Sequence, residues 1–559
     1  MTGGAGLSDG IPFWSGICRK LAKGVRMSLP VLIAGIAIGH APGSAGATEL
    51  WLSGVDPFVR GVMRPGELSD YTDLFKPDAP WTGAAARTAV FKTSTQWIEY
   101  APDAALARMF EVLRNRHIAL AMEGLMIRGG AECGRGVEGY SSPDAIRNAA
   151  LRIRRLGGEL AAVAMDEPLW FGHHYEGAQA CRSSIAEIAR NIAGNVAAVT
   201  EIFPGVAIGD IEPVSTDAGP GWTDEIMQWV DAYRAATGRP LAFFHADVIW
   251  DDRMQDELPR LAGRLRAAGI AFGVIYNGDP QDDSDIAWTD HAEAHFETLE
   301  AGGRFSPDQA ILQTWMARPR RMLPEGEPGT MTHLVLPYAR PPTLLTATID
   351  NGRAAGRLTD LAGRPVVGAR ISLVQPEDGR SGALTERRLG GTVPQGAARA
   401  VIGLRLDAEC DCSGDGEVGL GAVTYSEGAA SAIAVRFPPL GEAQARPSIL
   451  QEEAIPDRPL ILNSMPFEVA PDQSFRLSVA MRASPSASQS GYLAIIFLDA
   501  AGREIRRIRL PLEEGEIEIA APTTDMDGRF SAAVPATARR LRAVFAGDAH
   551  YRRAADAAR

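Results

Sequence analysis

The sequence predicts a parallel (β/α)8 barrel over residues 48–336, followed by all-β sandwich domains. Between about residue 49 and 320, short apolar runs alternate with amphipathic stretches, as repeated strand and crossover-helix units do. The apolar runs lack polar alternation, which is typical of strands that are buried on both faces. After Pro337 the sequence changes to short alternating strands separated by Gly, Pro and Asp turns, which indicates all-β structure.

The barrel is expected to contain eight strands joined by helices. The predicted strands are Leu50–Val55, Ala89–Thr93, Ile118–Met122, Leu160–Met165, Gly205–Asp210, Leu241–His245, Ile270–Tyr276 and Ala310–Trp315. The predicted helices include Ala104–Arg116, Pro143–Leu156, Ser183–Ile202, Asp224–Thr237 and Met254–Ala268. Eight such units over about 270 residues match the usual size of a (β/α)8 barrel. An open doubly wound sheet is the alternative, but no Gly-rich phosphate loop follows the first strand.

Length and charge restrict the class of protein. The chain has 559 residues, more than one hydrophobic core usually fills, so several domains are expected. Its formal net charge is −13, which argues against a nucleic-acid partner because phosphate binding requires clustered Lys and Arg. A chain with this negative charge accommodates a neutral or cationic substrate more easily than an anionic one.

The N-terminus has the pattern of a secretory signal peptide over residues 1–47. Basic residues at 19–26 precede an apolar run at 29–39 and the small residues Ala45, Gly46 and Ala47. The apolar run is shorter than the roughly 20 residues that span a bilayer, although an N-terminal anchor is the alternative. We therefore expect a secreted or periplasmic protein with no stable membrane span in the mature chain.

The cysteine count fits an oxidising compartment. Without Cys18 in the leader, four cysteines remain, and Cys133 and Cys181 are expected to form a disulfide between adjacent loops. Cys410 and Cys412 are too close for a relaxed disulfide. A strained local bridge, two free thiols or a metal contact all stay open for them.

The all-β region resembles two known modules. Gly356–Val374 resembles the opening of an immunoglobulin-like or transthyretin-like module, and Thr523–Ser531 with Leu541–Tyr551 resembles its closing strands. Between them, Phe467–Val479 and Gly491–Asp499 look like strands of a carbohydrate-binding-type jelly roll. The resemblance implies a sandwich split between residues 337–375 and 515–559, with an inserted jelly roll at 376–514. Two consecutive β-sandwiches are the alternative.

Polar residues at the predicted strand ends are the candidates for function, because these ends converge on one mouth in a closed parallel barrel. The candidates are Lys92, Glu123, Asp166, Glu167, Trp170, Asp210, Glu212, His245, Asp247, Tyr276, Asn277, Asp279 and Trp315. Three strand ends align at Glu123, Asp166 and Asp210, which predicts a ring of acids at one height. Any single acid could instead cap a helix or pair with an arginine.

Several acids in one cleft predict carbohydrate chemistry. Like charges repel, so one carboxyl keeps a proton near neutrality while its neighbour stays ionised. Cleavage of a glycosidic bond uses that division into acid and base. Asp166-Glu167-Pro168 resembles the Asn-Glu-Pro that ends strand four in a large clan of retaining barrel glycosidases, where the Glu is the general acid/base.

The same resemblance extends to Trp315, which is similar to that clan's sugar-stacking tryptophan. The chain departs from the clan at two points. Asp166 replaces the Asn, and strand seven ends in Tyr276-Asn277-Gly278-Asp279, with no glutamate at the clan's nucleophile position. The adjacent Asp-Glu pair also resembles barrel hexosaminidases in which the Asp orients the substrate's own N-acetyl nucleophile.

The sequence thus favours an exported glycoside hydrolase, without a cofactor, that acts on a polysaccharide or oligosaccharide. Glu167 is the expected proton donor, and Glu212 is the first choice for the second carboxylate, followed by Asp166, Asp210 and Asp279. A barrel that binds polysaccharide without cleaving it is one alternative. A metal-dependent polysaccharide deacetylase or lyase is another, for which His173, His174, His245 and Asp247 could supply ligands.

Overall fold

The structure, a computed structural model, describes residues 48–58, 69–215, 221–251, 253–280, 282, 284–376, 385–406, 418–428, 430–438, 460–483, 491–511, 516–535, 541–548 and 550–557. The predicted signal peptide, Cys410 and Cys412 lie outside the described residues. The chain divides into two compact units. One ends at Asn277 and resumes over Phe305–Leu336, and the other comprises Gly278–Arg304 and Pro337–Arg559.

The first unit contains a closed barrel of eight parallel strands. The strands are β1 (Glu49–Ser53), β2 (Val90–Ser94), β3 (Ala119–Gly124), β4 (Leu160–Asp166), β5 (Ala207–Val214), β6 (Phe243–Val248), β7 (Ala271–Tyr276) and β8 (Gln309–Leu312). Neighbouring strands follow chain order around the barrel, and β8 closes it against β1. The predicted fold class is therefore confirmed.

Helices connect the strands. They are α1 (Thr82–Ala85), α2 (Thr95–Tyr100), α3 (Asp103–Asn115), α4 (Ala145–Arg155), α5 (Ile185–Ile202), α6 (Trp222–Thr237), α7 (Met254–Ala267), α8 (Asp285–Leu299) and α9 (Met331–Tyr338). The buried side chains of α5 recur at spacings of three and four, as in Ile188, Ile192 and Val196, which gives the helix one apolar face. A capping box of Ser184 and Glu187 fixes where this helix begins.

The barrel interior is filled by apolar side chains from all eight strands. They are Trp51, Val90, Ala121, Ala162, Ala164, Ile211, Phe243, Ile275 and Ile311. Side chains alternate between the two faces of a strand, so residues two positions apart point the same way. This cluster therefore identifies which face of each strand lines the interior.

The eight predicted strands all overlap observed strands, but three of them end three or more residues away from the predicted end. β6 continues to Val248, three residues beyond His245, so Asp247 lies within the strand. β5 continues to Val214, so Asp210 and Glu212 lie within the strand instead of at its end. β8 ends at Leu312, three residues before Trp315. The helix α8 has no predicted counterpart, because its buried residues include the small or polar Ala287 and Thr289 and give a weak apolar pattern.

Among its described residues, the second unit contains four main antiparallel sheets. Its strands are β9 (Thr343–Asp350), β10 (Arg353–Asp360), β11 (Ile371–Pro376), β12 (Thr385–Thr392), β13 (Arg399–Leu406), β14 (Val418–Glu427), β15 (Ile433–Ala434), β16 (Leu460–Asn463), β17 (Phe467–Glu468), β18 (Ser474–Ala483), β19 (Gly491–Leu498), β20 (Glu504–Pro511), β21 (Glu516–Ala520), β22 (Arg529–Ala533), β23 (Arg542–Phe545) and β24 (Ala554–Ala557).

Strand pairing groups these sheets into two pairs. The sheets β9-β10-β22 and β21-β11-β23-β24 combine strands from both ends of the region and share one apolar core. The sheets β12-β18-β14-β15 and β16-β13-β19-β20 use the intervening residues and share another. The domain boundaries given above stay predictions.

Helix α8 belongs to the second unit and contacts β20 there. Arg509 donates hydrogen bonds to Asp282 Oδ1 at 3.0 Å and to the Ala287 carbonyl at 2.6 Å. Among the described residues, no helix combines the length and apolarity that crossing a bilayer would require.

The interior of the barrel gives a first prediction. A Cβ added at Gly209 on β5 would lie 2.1 Å from the Phe243 ring, which itself contacts Trp51 at a centroid distance of 5.3 Å. Gly209→Ala should lower the free energy of unfolding by about 1–3 kcal/mol through overpacking. Gly205→Ala, where a Cβ meets nothing within 4 Å, is the control. Urea unfolding measures both variants, and equal stability would contradict the packing described here.

Candidate active site

A polar layer lies above the apolar cluster at the carboxyl end of the barrel. Lys92, Glu123, Asp166 and Asp247 each follow an interior residue of the same strand by two or four positions, so they point into the barrel. Gln313, two residues after the interior Ile311, continues the same face beyond β8. The barrel thus aims one amine, several carboxyls and an amide at a common space.

Lys92 is fully buried and is held by an ion pair. Its Nζ lies 2.5 Å from Glu123 Oε2, and Gln313 Nε2 donates to the same oxygen at 3.0 Å. A buried ammonium is tolerated only when it is paired and hydrogen-bonded, and Glu123 is the paired carboxyl for Lys92. We therefore assign Glu123 to holding Lys92, while its contact with a substrate stays a prediction.

Glu167 follows directly after β4 and has an unusual backbone conformation. Its φ is 45°, in the left-handed region that a residue with a Cβ rarely adopts. Two hydrogen bonds hold it there: its N–H donates to the Ile211 carbonyl at 3.1 Å, and its carbonyl accepts from Phe171 N–H at 3.0 Å. Such strain at a buried acid is typical of functional sites.

The carboxyls of Glu167 and Asp247 are in contact. Asp247 accepts a hydrogen bond from the Glu167 carboxyl, which requires a proton on one of the two groups. Burial raises the pKa of Glu167 well above its ordinary value, and the charge of Asp247 raises it further. Burial also raises the pKa of Asp247 to about 7, against the opposing effects of the Lys92 ammonium and the hydrogen bond from Glu167.

Asp166 lies beside this pair and faces the same space. Burial raises its pKa well above the ordinary value, and the neighbouring charges of Glu123 and Glu138 raise it further. Lys92 acts in the opposite direction. The two adjacent acids predicted to share one site are therefore both held in surroundings that favour their neutral forms.

Glu138 is a member of this acid group that the sequence did not reveal. Although its side chain remains accessible at the rim, protein atoms crowd its carboxyl and raise its pKa to about 7, with a further contribution from Glu123. It is carried by the loop after β3. The backbone of that loop approaches Asp166 so closely that a Cβ on Gly139 would lie 3.0 Å from the Asp166 carbonyl oxygen.

Several contacts fix the loop that carries Glu138. A short parallel pair joins Ile127–Arg128 to Tyr140–Ser141. Cys133 and Cys181 form a disulfide, and Gly134 N–H donates to the Gln179 carbonyl at 2.8 Å. The turn before Tyr140 depends on Gly139, whose φ is 78°. A glycine immediately after an acid in a cysteine-containing loop is the only sequence signal that could have pointed to Glu138.

Asp210 and Glu212 lie on the other face of their strand. They flank the interior residue Ile211, so strand alternation turns both away from the barrel interior. Asp210 Oδ2 accepts from Trp229 Nε1 at 2.6 Å. Both residues are fully buried, and burial raises the pKa of each carboxyl well above its ordinary value.

Glu212 holds the turn that follows Glu167. Its Oε1 accepts from Leu169 N–H at 2.6 Å and its Oε2 from Trp170 N–H at 2.9 Å. Both carboxyl oxygens of Glu212 are therefore occupied. The residue also has no exposed surface. The contacts favour a positioning role, while the catalytic role expected for Glu212 stays a prediction.

The expected ring of acids at one height is wrong. Glu123 pairs in register with Ala164, two residues before Asp166, and Asp210 pairs with Met165. The strands of a closed barrel are staggered, so equal positions in aligned sequences do not lie at equal heights. The acids that face one another are instead Glu123, Glu138, Asp166, Glu167 and Asp247.

Of the other candidates, Asn277 lies beside the acid group, with its Nδ2 3.5 Å from Asp247 Oδ1, and the rest have other partners. His245 is fully buried below the acids, and its Nε2 bonds Gln309 Oε1 at 2.9 Å. Burial and the Lys92 charge lower its pKa to about 3, so it is neutral. Tyr276 is fully buried and stacks on Trp250, whose Nε1 donates to Asn277 Oδ1 at 2.7 Å.

The two tryptophans are half-buried. Trp315 packs on the interior apolar cluster, and Trp170 meets the edge of Trp222 at a centroid distance of 5.9 Å. Asp279 belongs to the second compact unit, where its N–H donates to Asp282 Oδ2 at 2.9 Å.

The histidines considered as metal ligands have other partners. His173 Nδ1 lies 2.6 Å from the Ser183 carbonyl, and His174 Nε2 lies 2.7 Å from Glu225 Oε2. In the part of the chain that the structure describes, no group of three or more His, Cys, Asp or Glu side chains could hold a metal ion.

Comparisons with known proteins identify no family for this chain. No protein-family model matches the chain, and no curated protein matches it in sequence. Among similar solved structures, an endo-1,4-beta-xylanase from Caldicellulosiruptor owensensis is 9% identical, with 48% of this chain and 85% of that chain covered and a TM-score of 0.30.

Two further structures show the range of these neighbours. A GH86 protein in complex with neoagarooctaose is 10% identical, with 78% and 95% covered and a TM-score of 0.32. A D-psicose 3-epimerase structure in the presence of D-fructose is 12% identical, with 48% and 85% covered and a TM-score of 0.27. Glycoside hydrolases recur among the neighbours, but likeness at this level carries no argument about activity.

The pKa of Asp247 gives a prediction for stability. Its ordinary value is 3.8 and its folded value is about 7, so the folded state binds more protons between these values and stability falls as pH rises through that window. Asp247→Asn cannot ionise, so its free energy of unfolding should decline less from pH 4 to 8. The pKa of Asp247 differs by about three units between the unfolded and folded states, and each unit corresponds to about 1.4 kcal/mol. The difference in this decline between the parent protein and Asp247→Asn is therefore at most about 4 kcal/mol.

Denaturant unfolding at several pH values measures this difference, with Asp231→Asn as a control because Asp231 is exposed on α6. Parallel pH profiles for Asp247→Asn and the parent protein would contradict the burial of this carboxyl.

Proposed function

We propose that the chain is a glycoside hydrolase in which Glu167 protonates the leaving oxygen and Asp247 is the second carboxylate. The single observation that carries the proposal is the contact between these two carboxyls at the carboxyl end of a parallel barrel. Two acids in contact cannot both be ionised, so they hold one proton near neutrality. Export to the periplasm or cell exterior is part of the proposal and rests on the signal-like N-terminus.

The electrostatics support Glu167 as the protonated member. The Lys92 ammonium lowers the pKa of Asp247, and so does the hydrogen bond that Asp247 accepts from Glu167. The charge of Asp247 in turn raises the pKa of Glu167. The shared proton therefore resides on Glu167, and the negative charge on Asp247.

This arrangement suits hydrolysis of a glycosidic bond. Glu167 would give its proton to the glycosidic oxygen as the bond from that oxygen to the anomeric carbon breaks. The Asp247 carboxylate would stabilise the positive charge on the sugar and accept a proton from the water that adds to the anomeric carbon. The two carboxyls would have to move apart for a sugar ring to enter between them.

The surrounding residues support the same role. Asp166 faces the mouth beside the pair and would bind a hydroxyl or a substituent of the sugar. Trp315 and Trp170 are half-buried aromatics near the carboxyl ends of the strands and offer flat surfaces for sugar rings. The C-terminal sandwiches would bind polysaccharide or space the barrel from a surface.

A barrel that binds polysaccharide without cleaving it is the second candidate. Asn277 stands at the end of β7, where the glycosidase clan that the sequence resembles has its nucleophilic glutamate. Its side chain is 3% exposed, and its Nδ2 lies 3.5 Å from Asp247 Oδ1. An amide at this position cannot act as a nucleophile, which favours binding over cleavage.

Turnover distinguishes the two candidates. On any glycan that the parent protein cleaves, Glu167→Gln and Asp247→Asn should each lower kcat by about 10²- to 10⁴-fold while glycan binding persists. Reducing-end release and isothermal calorimetry measure the two quantities, and Asp231→Asn is the matched control. Full turnover in Glu167→Gln, or glycan binding by the parent without cleavage of any glycan tested, would contradict hydrolysis through this pair.

Glu212 can be tested separately. Glu212→Gln replaces one acceptor oxygen with an N–H₂ group that faces a backbone N–H, so it should lower stability by about 1–3 kcal/mol. Thermal unfolding and kcat are measured together on the same variant. Loss of turnover at unchanged stability would support the role that the sequence predicted for Glu212 and would count against Asp247.

A further inference from the structure

The barrel mouth holds more negative than positive groups. Glu138, Asp166 and the Glu167–Asp247 pair act on one another, and Lys92 is the cation whose field opposes them. Lys92 is already held by Glu123 at 2.5 Å. Glu138, Asp166, Glu167 and Asp247 therefore face the space that a substrate would enter, and Lys92, which is paired with Glu123, does not balance them.

A buried amide in the same space also lacks a hydrogen bond. Gln313 is 5% exposed, and among the described residues its Oε1 has no partner. Its Nε2 donates to Glu123 Oε2 at 3.0 Å, and a carboxylate only accepts, so the orientation of the amide is fixed with Oε1 turned away from Glu123. A buried acceptor left unsatisfied is destabilising, so this oxygen is suited to a donor supplied by a ligand.

We propose that the substrate is a glycan with free amino groups, that is, a wholly or partly deacetylated amino sugar polymer. The proposal rests on the proposed function, because it names the substrate of the same site. A protonated amine supplies both missing features: a positive charge for the acids and up to three N–H donors, one of them for Gln313 Oε1.

Other glycans fit the mouth less well. A uronate, sulfate or phosphate group would add a further negative charge beside Glu138 and Asp166, where burial and neighbouring acids already oppose ionisation. A neutral hydroxyl could satisfy Gln313 Oε1, but it would bring no positive charge to these acids. An N-acetyl group could donate its one N–H to Gln313 Oε1, but it carries no positive charge and is bulkier than an amine.

Glu138 would be the residue that determines this specificity. It stands at the rim on the loop held by Gly139 and the Cys133–Cys181 disulfide, and it acts electrostatically on Asp166 and Glu167. Its accessible side chain and its position beside both acids suit it to receive an ammonium group as the sugar enters. It does not take part in the proposed bond cleavage.

Matched oligosaccharides test the substrate class. Hexamers of β-1,4-linked glucosamine, N-acetylglucosamine and glucose differ only at carbon 2, and a galactosamine hexamer covers the epimer. Calorimetry with the full-length Glu167→Gln protein should show at least tenfold tighter binding of a free-amine hexamer than of the acetylated and neutral hexamers. This preference should weaken as salt is added, because it depends on charge.

Variants of one loop test the role of Glu138. Glu138→Gln should lower the affinity for the free-amine hexamer at least tenfold and change the affinity for the neutral hexamer less than twofold. Glu138→Asp should restore part of the preference, which a merely structural role would not predict. Glu132→Gln is the control, since Glu132 is an exposed acid of the same loop.

The outcomes separate the two proposals. Equal or tighter binding of the acetylated or neutral hexamer, or no binding of either free-amine hexamer, would overturn the substrate class and leave hydrolysis untouched. Preferred binding of a free-amine hexamer, without its cleavage by the parent protein, would support the substrate class and count against hydrolysis. A preference unchanged in Glu138→Gln would overturn the role of that residue.

Discussion

The carboxyls of Glu167 and Asp247 lie in contact where two barrel strands end, and this contact constrains the surrounding structure. Two ionised carboxylates within hydrogen-bonding reach of each other would repel strongly in a buried site, so the pair must retain a proton. The Lys92–Glu123 ion pair below it biases where the remaining charge resides. The proposed acid and base roles follow from the positions of these charged groups.

Holding these acids together requires support from several elements. The left-handed backbone at Glu167 is kept by hydrogen bonds to Ile211 and Phe171, and the turn after it is kept by Glu212. The loop that carries Glu138 is fixed by a disulfide and a glycine turn. None of these contacts involves a carboxyl of the proposed reacting pair, but each fixes a backbone segment that carries Glu167 or Glu138.

The barrel could be predicted because its strands are continuous apolar runs, and all eight were found within a few residues. The site was predicted in part. Asp166, Glu167 and Asp247 were identified because each follows an apolar run. Asp210 and Glu212 satisfied the same rule, but β5 is longer than its apolar run suggests, and they point away from the interior.

The alternation of Ala207, Gly209 and Ile211 on the interior face was the signal that could have excluded these two acids. Glu138 was beyond prediction from strand patterns, because a loop after β3 carries it and only folding brings that loop to Asp166.

The protonation state of the pair is the most direct test of this account. Infrared spectra of the parent protein and of the double variant Glu167→Gln with Asp247→Asn can be compared at pH 7, where the carbonyl stretch of a protonated carboxylic acid is distinct from that of a carboxylate. The account predicts that the double variant loses a protonated-carboxyl signal that the parent protein shows. An unchanged protonated-carboxyl signal would show that the two acids share no proton and would contradict the central claim.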